Sequence, residues 1–162
     1  MGFKEISLII AEVVFVLYVA YVWGRYGIQK SISISYYEFP NGNRWTFRVF
    51  IWILSLAIIL AGIGWDTPFF LLGGGLLSLV GFFSRIKVKR KFMVHMVGAI
   101  GGILSCYIGV LVMDLKLGLI AGGCIIIQSL ACYIWGRKEH YIWNIEIACF
   151  IWLMGSLLYL TL

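Results

Sequence analysis

Apolar residues follow one another for about twenty positions at a time along this chain, and polar residues gather in the gaps between the runs. Six runs separate: residues 6–23, broken only by Glu12; 49–65; 69–84, after a tight Asp66-Thr67-Pro68 turn; 92–113; 117–135; and 141–160. At about 1.5 Å of rise per residue, each approaches the length that a hydrocarbon core of about 30 Å asks of a helix. The run 69–84 is the shortest and suffices if its turn sits in the interface. Uninterrupted apolar runs predict helices, because a membrane barrel would alternate apolar and polar residues. Short connections make consecutive helices antiparallel neighbours. The pattern therefore predicts an all-α, polytopic integral membrane protein. It is a single domain over residues 1–162, a bundle of six transmembrane helices with short loops and one longer first loop.

The edges of the runs carry amphipathic rings: Trp23 and Tyr26, Trp45, Trp65, Trp135, Tyr141 and Trp143, and Tyr159. Such rings prefer the headgroup level, which supports the boundaries independently; Trp52 and Trp152 lie deeper and read as packing residues. Composition agrees, with 62% hydrophobic and 12% charged residues and a mean hydropathy of +1.00. A soluble domain has about 25% charged residues, so a water-soluble surface is excluded. Lys4 is offset by Glu5 and no small-residue cleavage site follows, so the first run reads as a retained helix rather than a signal peptide. Ile6 stands where a myristoylation pattern wants Ser or Thr.

Charge orients the bundle. Of the 13 Lys and Arg, all but Lys4 and Lys116 fall in or beside the first, third and fifth loops: Arg25, Lys30, Arg44, Arg48; Arg85, Lys87, Lys89, Arg90, Lys91; Arg137, Lys138. By the positive-inside rule those loops face the cytoplasm and both termini face outside. The net charge of +6 serves topology and anionic headgroups and calls for no nucleic acid. Cys106, Cys124, Cys132 and Cys149 all lie in apolar runs without a C-x-x-C pair and read as small packing residues. Gly73-Gly74-Gly75, Gly98 with Gly102, and Gly118 with Gly122 mark faces where helix backbones approach closely; seams within one chain are favoured over seams between chains. No internal repeat is present.

Candidate chemistry concentrates in the first loop, Gly24 to Arg48. Ser31, Ser33 and Ser35 alternate with Ile32 and Ile34, which puts the hydroxyls on one face if the segment is extended; Pro40 and Asn41-Gly42 then supply turn chemistry. The loop is long for so small a protein and too apolar for disorder, so it is expected to fold over the cytoplasmic mouth as a binding site or as a lid. Ser33, Ser35, Tyr36, Tyr37, Glu38, His95, Arg137 and His140 are the candidate ligand-binding residues. Intramembrane polar groups are costly in lipid, and Glu12, Gln128, Asn144 and Glu146 are the candidates there; Glu12 and Glu146 sit at different depths, which argues against a carboxylate dyad. His95, His140 and Glu38 make up a metal-type donor set only if the loops bring them together. Their spacing points to no metal, and nothing points to a cofactor or a catalytic residue. Asp66 before Thr67-Pro68 is expected to cap the third helix. Phosphate-loop, dinucleotide-binding, zinc-protease and nucleophile-elbow motifs are absent, as is a potassium-filter sequence.

Ser33-Ile34-Ser35-Tyr36-Tyr37 between the first two spans, followed by the aromatic start Trp45 to Trp52, resembles small bacterial multi-spanning proteins of unknown function, the Frag/DRAM/Sfk type. The likeness covers Ser31 through His95 and implies a bacterial inner membrane; the Asp of that family's loop is replaced here by Ile34 or Ser35. A comparison with the alkaline ceramidase and adiponectin-receptor superfamily meets a zinc site of three histidines, and this chain has two. Three functions follow in order of preference. The first is a bundle binding lipid, or a membrane-protein partner, as an accessory or regulatory subunit. The second is a homo-oligomeric channel or membrane-permeabilising effector lined by Glu12, Gln128 and Glu146. The third is a lipid-modifying enzyme using the first loop, His95 and His140.

Overall fold

The computed structural model describes residues 2–40, 44–84, 89–136 and 138–160, the side chains of Lys89 and Lys138 excepted. The expected Asn41-Gly42 turn, the charges of Arg85 and Lys87, and the candidate Arg137 lie outside the described residues. Among those residues every regular element is helical and there are no strands: α1 Phe3–Tyr26, α2 Ser35–Glu38, α3 Trp45–Gly64, α4 Pro68–Phe82, α5 Lys89–Met113, α6 Leu115–Trp135, a 3₁₀ turn Lys138–His140, and α7 Tyr141–Tyr159. Five helices are long and apolar enough to cross a membrane: α1, α3, α5, α6 and α7. α4 has 15 residues, about 22 Å of helix, and is shorter than the rest.

Two helix ends show why the boundaries fall where they do. Asp114 precedes α6 and its Oδ1 accepts the Leu117 N–H at 2.9 Å, satisfying a donor that the first turn leaves free. Asp66 was expected in the same role for α4, but the residue at that position is Thr67, with Pro68 opening the helix. Asp66 instead closes α3. Its φ of 52° turns the chain so that Thr67 N–H reaches Gly62 O at 3.0 Å and Asp66 N–H reaches Ile63 O at 3.2 Å. This is the paired bonding of a Schellman ending, which needs a left-handed residue at that point.

Each long helix runs antiparallel to the one before it. Phe70 of α4 meets Gly62 of α3 while Gly81 meets Trp52, and Phe70 meets Gly109 of α5 while Leu79 and Val80 meet Gly98. Tyr107 reaches Gly118 O at 3.0 Å between α5 and α6, and Trp152 Nε1 donates to Gln128 Oε1 at 3.1 Å between α7 and α6. Phe15 of α1 stacks on Phe150 of α7 at 3.5 Å, and Tyr18 on Phe50 of α3 at 3.9 Å. The order is cyclic, α1–α3–α4–α5–α6–α7 and back to α1, with the α1–α7 seam thin. Helix α6 is peripheral: only 11% of its most apolar window is buried.

Glycine permits the tight seams. A side chain at Gly74 would run into Ser55 O of α3, and one at Gly98 into Leu76 O of α4. The two ends of the bundle differ in character. At one, the Lys4 ammonium lies 5.8 Å from the Trp65 ring centre, beside the α3–α4 turn. At the other, the first loop meets the start of α3, the end of α4 and the starts of α5 and α7.

Candidate functional site

The first loop is drawn into the bundle. Gly27, at φ 75°, ends α1, and Gln29 folds back so that its Nε2 donates to Tyr26 O at 2.8 Å and Gly27 O at 3.2 Å, covering carbonyls the helix leaves unpaired. Ser31 Oγ accepts Ile34 N–H at 3.1 Å, a local side-chain turn, and the chain enters the single turn of α2. The expected extended segment is therefore a turn followed by a short helix. Its hydroxyls diverge instead of sharing a face: Ser33 and Ser35 answer to different neighbours, and those neighbours decide the conformation.

Those neighbours are residues of the long helices. Ser35 is fully buried; its Oγ lies 2.6 Å from the Tyr18 hydroxyl of α1 and donates to Ile32 O. Ser33 Oγ lies 2.8 Å from His95 Nε2 of α5. Ile32 N–H donates to Glu146 Oε2 of α7 at 2.5 Å, a carboxylate from one end of the sequence holding a backbone donor from the other. Trp143 N–H donates to Lys30 O at 3.2 Å, and His140 Nδ1–H donates to Gln29 O at 3.2 Å. Arg48 of α3 donates from Nη2 to the Tyr36 hydroxyl at 3.2 Å and from Nε to Ser84 Oγ at 3.0 Å. The Arg44 guanidinium lies 5.6 Å from the Tyr36 ring and 5.8 Å from the Tyr37 ring. Phe39 is packed among Tyr18, Tyr21 and Tyr26.

Beneath this loop is a cavity of about 100 Å³, walled by apolar side chains of α1, α3, α4, α5 and α7. Its polar contribution comes from Ser33 and Glu146 at the loop end. Glu146 is accordingly not sealed in protein: it faces the cavity while its Oε2 holds the loop.

No protein-family model, curated protein or solved structure matches the chain.

The arrangement brings Ser33, Ser35, Tyr36, Tyr37, His95 and Glu146 into or against the first loop, with Tyr37 edge-on to Tyr36 at 5.1 Å, and leaves the other candidates apart. Glu38 is exposed at the end of α2, and His140 sits at the rim with the exposed Glu139 carboxylate 3.6 Å from its Nε2. His95, His140 and Glu38 do not converge; among the described residues no three His, Cys, Asp or Glu side chains gather. The intramembrane candidates face three places: Glu146 the central cavity, Gln128 the α6–α7 seam, and Glu12 a groove between α1 and α7. Asn144 is half-buried on α7. A Ser–His pair acts as a nucleophile and base when a third group orients the histidine; the Ser33–His95 contact also joins the first loop to α5. Residues outside the expected set carry much of the site: Tyr18, Gln29, Arg44, Arg48, Ser84 and Trp143. Tyr18 had one available signal, since a tyrosine deep in an apolar run must find a partner for its hydroxyl.

Proposed function

We propose that this chain is a membrane-embedded, non-catalytic binding protein whose interior receives the hydrocarbon chain of an amphiphile, acting as an accessory or regulatory subunit. The observation that carries this reading is the cavity of about 100 Å³ under the first loop. Native interiors close voids larger than a water molecule, and an apolar cavity of about 150 Å³ stays dry and takes up benzene-sized guests. A space of this size fits the end of an alkyl or prenyl chain. Glu146 and Ser33 at its polar end suit a hydroxyl or amine.

In this reading all six helices cross the bilayer. Helix α4 runs beside α3 and α5 along most of its length, and the α3–α4 turn with Trp65 lies at the interface, which supports a sixth crossing despite its 15 residues. The basic loops face the cytoplasm of a bacterial inner membrane, both ends of the bundle's chain face outside, and the first loop is the cytoplasmic seal.

The test is photolabelling in vesicles with a long-chain alcohol bearing a diazirine at the chain terminus. The expected result is adducts on peptides lining the cavity, around Leu54, Ile103 and Met154, lost in an Ala99→Phe variant that fills the space. Adducts confined to the lipid-facing surface of α6 would overturn the proposal.

A further inference from the structure

Helix α1 places a carboxyl group in a groove where no polar partner among the described residues meets it. Glu12 lies nine residues into α1, about 13 Å from its outer end and well inside the apolar span. Glu146 and Gln128 hold internal partners; Glu12 has none among the described residues. It lies instead in the lateral groove between α1 and α7, an outward-facing furrow lined by Glu12, Val16 and Ala20 on one side and Ile151, Gly155 and Leu158 on the other. Gly155 has open space where its side chain would be. It therefore presents bare backbone to the furrow, unlike Gly74 or Gly98, whose space is occupied by a neighbouring helix.

Two independent requirements meet here. A carboxyl group at this depth needs a hydrogen-bond donor or a cation, because the bilayer offers neither. A furrow with small residues at Ala20 and Gly155 admits a helix backbone closely, the mode by which helices associate in lipid. A second copy of this chain supplies no cation to this carboxyl. Its only basic residues toward the outer end are Lys4 and Lys116, at or next to helix starts, and its histidines lie at the opposite end. We propose that the α1–α7 groove docks a transmembrane helix of a different protein, one that carries a lysine or arginine at the depth of Glu12. The proposal rests on the membrane reading but not on the central cavity.

The test uses the full chain in phosphatidylcholine–phosphatidylglycerol vesicles and a synthetic Leu/Ala helix of about 20 residues. The helix carries one lysine at the matching depth, and association is read by energy transfer. The wild-type chain is expected to bind this probe about three- to thirty-fold more tightly than an all-Leu/Ala helix, and more tightly than a helix with its lysine near the opposite end. Glu12→Leu should remove the preference, Glu12→Gln should weaken it, and Gly155→Leu should block binding with Glu12 in place. Equal binding of the lysine and leucine probes by the wild-type chain overturns the proposal without any variant having to fold. Alkaline carbonate extraction is run alongside. Release of the chain would overturn the membrane reading itself, whereas a retained chain indifferent to the lysine removes only the docking inference.

Discussion

Ser35 and Tyr18 satisfy each other in a place water does not reach, and this makes the pair sensitive to the loss of one member alone. Ser35→Ala leaves the Tyr18 hydroxyl buried and unbonded, and an unsatisfied buried polar group costs about 1–3 kcal/mol; in lipid, interhelical hydrogen bonds themselves run to about 1–2 kcal/mol. Removing both groups together in Ser35→Ala/Tyr18→Phe strands nothing, so the double variant should be more stable than Ser35→Ala alone. Ser78, whose hydroxyl bonds Gly75 O on an exposed surface, supplies the control, with Ser78→Ala expected within about 0.5 kcal/mol of the parent. Thermal unfolding in detergent of the parent and these variants checks the order, and equal losses for Ser35→Ala and Ser78→Ala would contradict it. The sequence singled out Ser33 and Ser35 but aimed their hydroxyls together. Their true partners lie on α5 and α1, many residues away, and a four-residue helix inside a loop has no periodicity of its own to read. Arg48 was legible only as a topogenic charge. That its planar guanidinium bridges Tyr36 and Ser84 depends on how α2 and α4 come to rest beside it.

At the scale of the helix, the glycines of α4 separate by neighbour. Gly74 and Gly75 are adjacent and alike in sequence, yet a Cβ at Gly74 would lie 2.7 Å from Ser55 O whereas one at Gly75 meets nothing. A carbonyl on a facing helix cannot move aside as a flexible side chain does, so Gly74→Ala forces α3 and α4 apart. Overpacking of this kind costs about 1–3 kcal/mol. Gly75→Ala should be neutral or slightly stabilising, since alanine favours helix over glycine by about 1 kcal/mol. Unfolding midpoints of the two single variants decide it, and a Gly75→Ala loss as large as that of Gly74→Ala would show that the α3–α4 seam is misplaced. The apolar runs were legible because lipid demands continuous hydrophobicity; α1, α5 and α6 extend beyond the expected bounds, whereas α3, α4 and α7 end a residue or two before them. Which glycine faces which helix depends on rotation about each axis, and a helix apolar on all sides leaves that unmarked. The same absence of an apolar stripe hid the peripheral position of α6.

For the molecule as a whole, the short helix α4 decides the parity of the bundle, and parity is measurable. With six crossings the chain ends at α1 and α7 lie on one side of the membrane; if α4 only dips into the bilayer there are five, and the ends lie on opposite sides. The proposal of six crossings rests on α4 running antiparallel between α3 and α5, with its turn to α3 carrying Trp65 at the end where Lys4 sits. A 15-residue helix spans less than the hydrocarbon core, but local thinning or interfacial turns accommodate a mismatch at a fraction of a kcal/mol per Å. Epitope tags at the two ends, probed with impermeant protease on intact and on permeabilised cells, should both be cleaved before permeabilisation. The charge distribution makes a further demand on the same assay. Because Arg25, Lys30, Arg44 and Arg48 flank the first two spans, replacing the four with neutral residues should shift part of the population to the inverted orientation, with both tags protected together. One tag cleaved and the other protected in the parent protein would establish five crossings. The bundle would then have to be redrawn with α4 and its glycine seams as a re-entrant element beside the loop that seals the cavity.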